Sequence, residues 1–179
     1  DNEVVISTAQ GQAIRFHEKG ARPMGRVARG VRGIRLRPGD NVIGMDIVEE
    51  GSDIFVISKY GYGKRTSIDQ FTAHARGGVG IRSAVVNDKT GELVGVKRLM
   101  GEEQEIIIIS QQGQTIRLGL KDISSLGRAT QGVRIMRLND GDEIVSLALV
   151  DKVEEAEEAD TPEELPLDDK PAKKPAKAP

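Results

Sequence analysis

The chain has 179 residues, no cysteine and a formal net charge of −2. The lack of cysteine excludes a disulfide scaffold and a thiolate metal site. The sequence also has no apolar run of about 18 residues and no signal-peptide core, so a cytoplasmic location is the expectation. Residues 1–150 carry 21 Lys and Arg against 18 Asp and Glu, whereas residues 151–179 carry 5 against 10. A body of net charge +3 followed by a tail of −5 favours an anionic partner for the body.

One pattern occurs three times, at residues 3–15, 53–65 and 105–117. In each copy an acid lies eight positions before a glycine, a hydroxyl residue three before it and an arginine four after it. The glycines are 50 and 52 residues apart, at Gly11, Gly61 and Gly113. A period of this size indicates a repeat protein. Each copy predicts a buried strand, a tight turn at the glycine and a second strand that ends on the arginine.

Two more strands are predicted in each repeat. One is glycine-rich and lies at 29–36, 76–82 and 131–138. A fourth, apolar run closes each repeat at 42–45, 93–96 and 144–147. Short β-branched runs separated by Gly, Asn and Asp predict an all-β array, and nothing within residues 1–150 has a long helical period.

Four strands in about 50 residues match one blade of a propeller, in which radial repetition protects the sheet edges. The sequence therefore predicts four-stranded blades at 1–51, 52–102 and 103–150. Since propellers usually have about 4–8 blades, and since Asp1 already borders a repeat, we expect an N-terminal portion to be missing. Residues 151–179 combine an acidic block with a Pro, Ala and Lys end, a composition that predicts disorder.

Cations are concentrated at equivalent places of the repeats. Seven lie between Lys19 and Arg37, and no acid lies between Glu18 and Asp40. Because equivalent positions of a stacked array fall on one rim, they would form a basic track suited to duplex phosphates. Aromatic platforms for single strands are scarce, so duplex DNA is favoured. The predicted DNA-binding residues are Arg22, Arg26, Arg29, Arg32, Arg35, Arg37, Lys64, Arg65, Arg76, Arg82, Arg117, Lys121, Arg128, Arg134 and Arg137.

The same cations have a structural interpretation, because Arg and Lys on exposed strands also prevent aggregation. The arginine that follows each turn could instead pair with the acid of its own repeat; these are Arg15, Arg65 and Arg117.

The sequence predicts no catalytic or metal site. Residues 61–65 lack the spacing of a P-loop. His17 and His74 lack the companion ligands of a zinc site. Tyr60 and Tyr62 have no visible base partner and are expected in a strand or turn.

Three segments, 24–36, 62–66 and 127–134, together with the repeated strand–turn–Arg unit, resemble the C-terminal domain of the DNA gyrase A subunit. The likeness covers about residues 1–150. It implies a six-bladed β-pinwheel whose neighbouring blades exchange strands, so these repeats would be its last three blades. It also implies a domain that wraps duplex DNA around a basic rim with positive handedness, so that the bacterial, nucleoid-associated enzyme introduces negative supercoils.

The resemblance also implies the partners. They are double-stranded DNA, the rest of the gyrase A polypeptide, and the gyrase B polypeptide in an A2B2 heterotetramer, with no membrane. The cleaving tyrosine and its Mg site lie in the N-terminal part of the A polypeptide, and the B polypeptide uses ATP. No cofactor and no catalytic residue is therefore expected in this chain, which would be part of a type II topoisomerase without being an enzyme itself.

One motif departs from the family. Its first blade carries a box like Gln-Arg-Arg-Gly-Gly-Lys-Gly, needed for the wrap. The nearest stretch here, 75–80, lacks the leading Gln and the first Arg and has Val79 in place of the Lys, so wrapping is not assigned to this chain alone.

Two other functions stay open: the homologous C-terminal domain of topoisomerase IV, which favours decatenation, and a propeller that binds proteins and not DNA. The acidic tail could compete with DNA for the rim or simply solubilise the terminus.

Overall fold

The computed structural model describes residues 1–101 and 103–151, in which regular structure is almost entirely β. Its strands are β1 (Glu3–Thr8), β2 (Gln12–His17), β3 (Val42–Val48), β4 (Asp53–Ser58), β5 (Tyr62–Ser67), β6 (Ile81–Arg82), β7 (Leu93–Leu99), β8 (Gln104–Ser110), β9 (Thr115–Gly119), β10 (Val133–Arg134) and β11 (Ile144–Asp151). The described helices are three-residue 3-10 turns at Glu18–Gly20, Ile68–Gln70 and Leu120–Asp122. None of them is long enough to cross a membrane. The all-β prediction is confirmed. Apart from Asp151, which ends β11, the tail lies outside the described residues.

Each repeat opens with the predicted hairpin. β1 pairs with β2, β4 with β5 and β8 with β9, all antiparallel. The glycine of each turn has a positive φ, for example 77° at Gly11 and 80° at Gly61. Because residues with a Cβ rarely adopt this conformation, glycine at these positions makes the tight turn possible. The apolar runs of the first strands supply buried residues such as Phe55 and Ile106, both 0% exposed.

The glycine-rich strand belongs to a different sheet from the one predicted. The strand orders are β3-β1-β2-β6, β10-β5-β4-β7 and β11-β8-β9. β6 and β10 thus complete the sheet of the preceding repeat, as the resemblance to the pinwheel implied. The backbones approach very closely here, because a Cβ at Gly80 would lie 2.4 Å from the carbonyl oxygen of Ala13. A residue with a side chain at Gly80 would keep the exchanged strand away from β2.

The glycine-rich strands are also shorter than predicted. β6 and β10 have two residues each, and residues 29–36 form no strand. β6 occupies the free edge of β2, and the first glycine-rich segment packs against its own hairpin and against the second repeat. Ile34 is buried in a cluster with Ile14 and Phe16, and the Arg35 N–H donates to the Gly78 carbonyl at 2.8 Å.

The last strands of the repeats, β3, β7 and β11, pack side by side. Val96 of β7 fills the space above Gly44 of β3, and Leu147 of β11 fills the space above Gly95 of β7. The main cores also lie between adjacent sheets, since Ala13 clusters with Phe71 and Phe55 with Ile106. Each repeat therefore buries its faces against its neighbours. β3, β7 and β11 form the inner edge of the array, and β6 and β10 form the opposite edge, here called the outer edge.

Candidate nucleic-acid interface

The outer edge carries exposed arginines at equivalent positions. Arg82 of β6 lies opposite Gln12, and Arg134 of β10 lies opposite Tyr62. Both arginines are exposed. The structure thus places two of the predicted DNA-binding residues on the exchanged strands, at the same register position. Two guanidinium groups that repeat in this way could both contact phosphates along one backbone.

The arginine-rich segment of the first repeat is exposed and lies beside this edge. Residues 19–32 are exposed throughout, and so are residues 35–37. The Gly33 carbonyl accepts a hydrogen bond of 2.7 Å from the Gly77 N–H. Gly77 belongs to the segment that leads into β6. The exposed predicted cations beside the edge are Arg22, Arg26, Arg29, Arg32, Arg35 and Arg37.

Arg76 and Arg128 are equivalent residues that join neighbouring repeats. Arg76 donates to the Gly20 carbonyl at 2.8 Å and to the Arg32 carbonyl at 2.5 Å. Arg128 donates to the Arg82 carbonyl at 3.0 Å. Each guanidinium therefore ties its own repeat to a backbone segment that carries other arginines. These two residues hold the outer edge together in addition to adding charge to it.

The arginines that follow the turns are ion-paired. Arg15 pairs with Glu3, Arg65 with Asp53 and Arg117 with Glu105. The predicted pairing of each arginine with the acid of its own repeat is confirmed. Arg15 also donates to the carbonyls of Ile68 and Phe71 in the next repeat, at 3.0 and 3.2 Å, and Arg65 donates to the Ile123 carbonyl at 3.0 Å. The predicted DNA-binding residues Arg65 and Arg117 therefore have their charge matched within the fold.

Lys64 differs from the other predicted cations because its side chain is only 1% exposed. Its ammonium donates to the carbonyls of Gly127 and Arg128 at 2.7 and 2.8 Å and to the Thr130 hydroxyl at 3.2 Å. Burial, with a smaller contribution from the charge of Arg128, lowers the pKa of Lys64 to about 8. This ammonium is enclosed by the loop of the next repeat, so Lys64 lies outside the candidate interface.

Three further cations lie outside the longer strands. Lys121 lies exposed in the third 3-10 turn, and Arg137 is exposed between β10 and β11. Lys89, in the turn before β7, was not predicted, yet its Nζ lies 5.5 Å from the ring centre of Tyr62. The repeat pattern did not mark Lys89, because the equivalent position is Pro38 in the first repeat and Asp140 in the third. Among the described residues, no group of three His, Asp or Glu side chains could hold a metal ion.

The fold and its outer edge define a class: a β-propeller-type repeat protein with exchanged strands and a cationic outer edge. The family described as "DNA gyrase C-terminal domain, beta-propeller" matches residues 2–49, 52–99 and 104–151. These three matches correspond to the three repeats. The chain belongs to this family.

Individual relatives agree with this membership. The DNA gyrase A protein of Aminobacterium colombiense is 45% identical over 150 residues, which are 84% of this chain and 18% of the relative. A solved DNA gyrase A C-terminal domain superposes with a TM-score of 0.76 at 27% identity, covering 82% of this chain and 50% of that one. The C-terminal domain of DNA topoisomerase IV gives a TM-score of 0.79 at 20% identity over 84% and 47%, a likeness of fold alone. The chain spans less than a fifth of the length of the curated gyrase A proteins that it matches.

Proposed function

We propose that this chain binds duplex DNA along its outer edge and serves as part of the wrapping domain of the DNA gyrase A protein. One observation carries the proposal: exposed arginines recur in register on the exchanged strands, with an arginine-rich segment beside them. Cationic side chains that contact successive phosphates release condensed counterions, which supplies affinity for any DNA sequence. Contacts of this kind position a duplex and do not read its bases.

The array also suits a bent duplex. Its outer-edge arginines Arg82 and Arg134 sit on successive sheets, so a backbone that follows them passes from one repeat to the next. Bending a duplex costs elastic energy, of the order of 1–6 kcal/mol for a site of 20–30 base pairs. Repeated arginine–phosphate contacts can offset that cost, and each repeat that is added lengthens the track. This chain supplies one part of such a track.

In the proposed assembly the chain works with the rest of the gyrase A polypeptide and with the gyrase B polypeptide in an A2B2 enzyme, in the bacterial cytoplasm. DNA cleavage and ATP hydrolysis belong to those other parts, and this chain contributes no catalytic residue and no cofactor. Relatives named as gyrase A proteins, 40–45% identical to this chain, favour gyrase over the topoisomerase IV alternative.

The test is DNA binding of the full chain to a duplex of about 40 base pairs in a salt series, where log K should fall by about 0.9 per phosphate for each unit of log salt concentration. Three variants remove one arginine each: Arg82→Ala, Arg134→Ala and, as the matched control, Arg117→Ala. The first two should weaken binding and reduce the slope by about 1. The control removes the same charge from a site that is already paired with Glu105 and should bind as the wild type does.

A further variant tests the arginine-rich segment by replacing four of its arginines with alanine: Arg26, Arg29, Arg32 and Arg35. Its affinity for DNA should depend on salt with a still smaller slope than that of the single outer-edge variants. Weak binding that is independent of salt and equal in all the proteins would refute the proposal and favour the protein-binding alternative.

A further inference from the structure

Two cations lie against one tyrosine at the junction of the second and third repeats. The Arg134 guanidinium carbon lies 5.3 Å from the ring centre of Tyr62, and the Lys89 ammonium lies 5.5 Å from it. Arg134 also donates a hydrogen bond of 2.9 Å to the Tyr62 hydroxyl oxygen. The three side chains come from three separate segments: β5, the turn before β7, and the exchanged strand β10.

Within residues 1–101 and 103–151, neither Lys89 nor Arg134 forms an ion pair with a carboxylate. Asp140, Asp142 and Glu143 line the same cavity as Arg134, but the Asp142 carboxylate accepts from two backbone N–H groups and Glu143 is paired with Lys59 at 2.6 Å. Interaction with a tyrosine ring stabilises an exposed cation only weakly. Two cations on one ring also repel each other. The guanidinium of Arg134 and the ammonium of Lys89 therefore keep exposed donors to which an anion can bind.

The donors define which anion fits. Arg134 offers a planar fork of N–H groups, which matches two oxygens of one phosphate. Lys89 offers a flexible point charge that can reach a third oxygen or the neighbouring phosphate. Tyr62 itself is only 6% exposed, so it serves as a platform that aligns the two cations, while both cations are exposed. An open site of this kind suits a phosphodiester on an extended backbone.

Among the three repeats that the structure describes, only the second has this platform. The residue that follows the turn glycine is Tyr62 in the second repeat but Gln12 in the first and Gln114 in the third. Arg82 therefore lies opposite a glutamine and has no aromatic ring at the position that Tyr62 holds beside Arg134. The two outer-edge arginines are thus equivalent in register but differ in their surroundings.

We infer that Lys89, Tyr62 and Arg134 form a binding site for a backbone phosphate of duplex DNA. The inference rests on the proposed function and adds to it a residue, Lys89, that lies outside the sequence-predicted set. It makes the junction of the second and third repeats a stronger contact than the equivalent position of Arg82.

The first experiment compares Lys89→Gln with Lys97→Gln in the full chain, in the same DNA salt series. Lys97 lies on the inner strand β7, so its loss is a matched change of charge away from the outer edge. Lys89→Gln should lower the affinity for DNA by about 3–10-fold near 0.1 M salt and reduce the salt slope by about 1. Lys97→Gln should leave both unchanged. Equal affinities and slopes in Lys89→Gln and wild type would overturn the inference.

The second experiment observes the platform directly. The chain has two tyrosines and no tryptophan, so ¹³C-tyrosine NMR gives a simple spectrum, and Tyr60→Phe assigns the signal of Tyr62. Adding the duplex should shift the Tyr62 signal in the wild type and shift it less in Lys89→Gln. A Tyr62 signal that moves with inorganic phosphate but not with the duplex would mean a small-anion site and would also overturn the inference.

The two proposals fail in different ways. If the wild-type chain does not bind the duplex at all, the proposed function is wrong, and the DNA site is wrong with it. If the wild type binds with a steep salt slope that Arg82→Ala reduces, but Lys89→Gln binds equally well and Tyr62 does not respond, only the platform site is wrong.

Discussion

Because the ammonium of Lys64 is buried, we expect the stability of the fold to depend on pH through this residue. The first and third repeats have isoleucine, Ile14 and Ile116, at the position where the second repeat has Lys64. Lys64 is 1% exposed, and its ammonium donates to two backbone carbonyls of the next repeat. The informative change is Lys64→Met, which keeps a long unbranched side chain and removes the charge and the donors.

The direction of this pH dependence follows from the pKa of Lys64. Burial lowers the pKa of Lys64 from 10.5 to about 8 in the folded chain. Between about pH 8 and 10.5 the unfolded chain therefore binds more protons at this residue than the folded chain does, and stability rises with pH. This gain in stability is complete above the pKa that Lys64 has in the unfolded chain. It is lost as the pH falls from there to about 8. A pKa difference of this size corresponds to about 3 kcal/mol.

Urea unfolding of wild type and Lys64→Met between pH 7 and 10.5 measures this contribution. At pH 7 the lowered pKa is a net cost that methionine does not carry, and it opposes the loss of donors to the two carbonyls, so Lys64→Met should change the stability only slightly at pH 7. The stability difference should then grow by up to about 3 kcal/mol towards pH 10.5. Tyr62 and Lys59 also have shifted pKa values, but both are present in the two proteins and cancel in the difference.

The refuting result is a stability difference that does not change with pH. It would mean that Lys64 titrates as an exposed lysine does, so that the ammonium is not enclosed by the loop of the third repeat. The interpretation of Lys64 as a structural cation would then be wrong, and the residue would return to the candidate DNA-binding set.

Three further predictions compare equivalent positions or remove the tail. Arg15→Gln should destabilise the chain by about 3 kcal/mol in urea unfolding, because a half-buried ion pair is broken and two carbonyls lose a donor. Arg117→Gln replaces a side chain that is 50% exposed and should cost less than about 1 kcal/mol. Gly61→Ala should lower the melting temperature much more than Gly113→Ala, because a Cβ at Gly61 would lie 2.4 Å from the Met136 carbonyl oxygen while Gly113 has open space. Both carry the backbone strain of a positive φ, so equal losses would contradict the close approach. Removing residues 152–179 should tighten binding to the duplex, because the acidic tail would no longer compete for the cations; unchanged affinity would show a solubilising terminus.

Much of the fold was predictable because its signals are local. The turn glycines and the apolar runs predict each hairpin, since backbone sterics and strand alternation act within about ten residues. The ion pair of each repeat follows from the same hairpin. Val5 lies opposite Arg15 in the register, so an acid two residues before Val5 is on the same face and within reach of the guanidinium.

The partner of the glycine-rich strand was not predictable from the same signals. Residues 76–82 have the composition of a strand, but composition does not say which sheet edge accepts it. The sequence alone led to a blade made of one continuous segment, whereas β6 completes the sheet of β1 and β2. That choice depends on two sheets meeting in space, where Gly80 fits against the backbone of Ala13.

The sequence by itself determined the repeat period, the hairpins and the wealth of arginine, because these depend on residues close together in the chain. Only the tertiary structure decided which cations face solvent. It buried Lys64 under the loop of the next repeat, paired Arg65 with Asp53, and brought Lys89 to Tyr62 and Arg134. Solvent exclusion and charge pairing depend on segments as far apart in sequence as Tyr62 and Arg134, and their meeting is set by the packing of one repeat against the next.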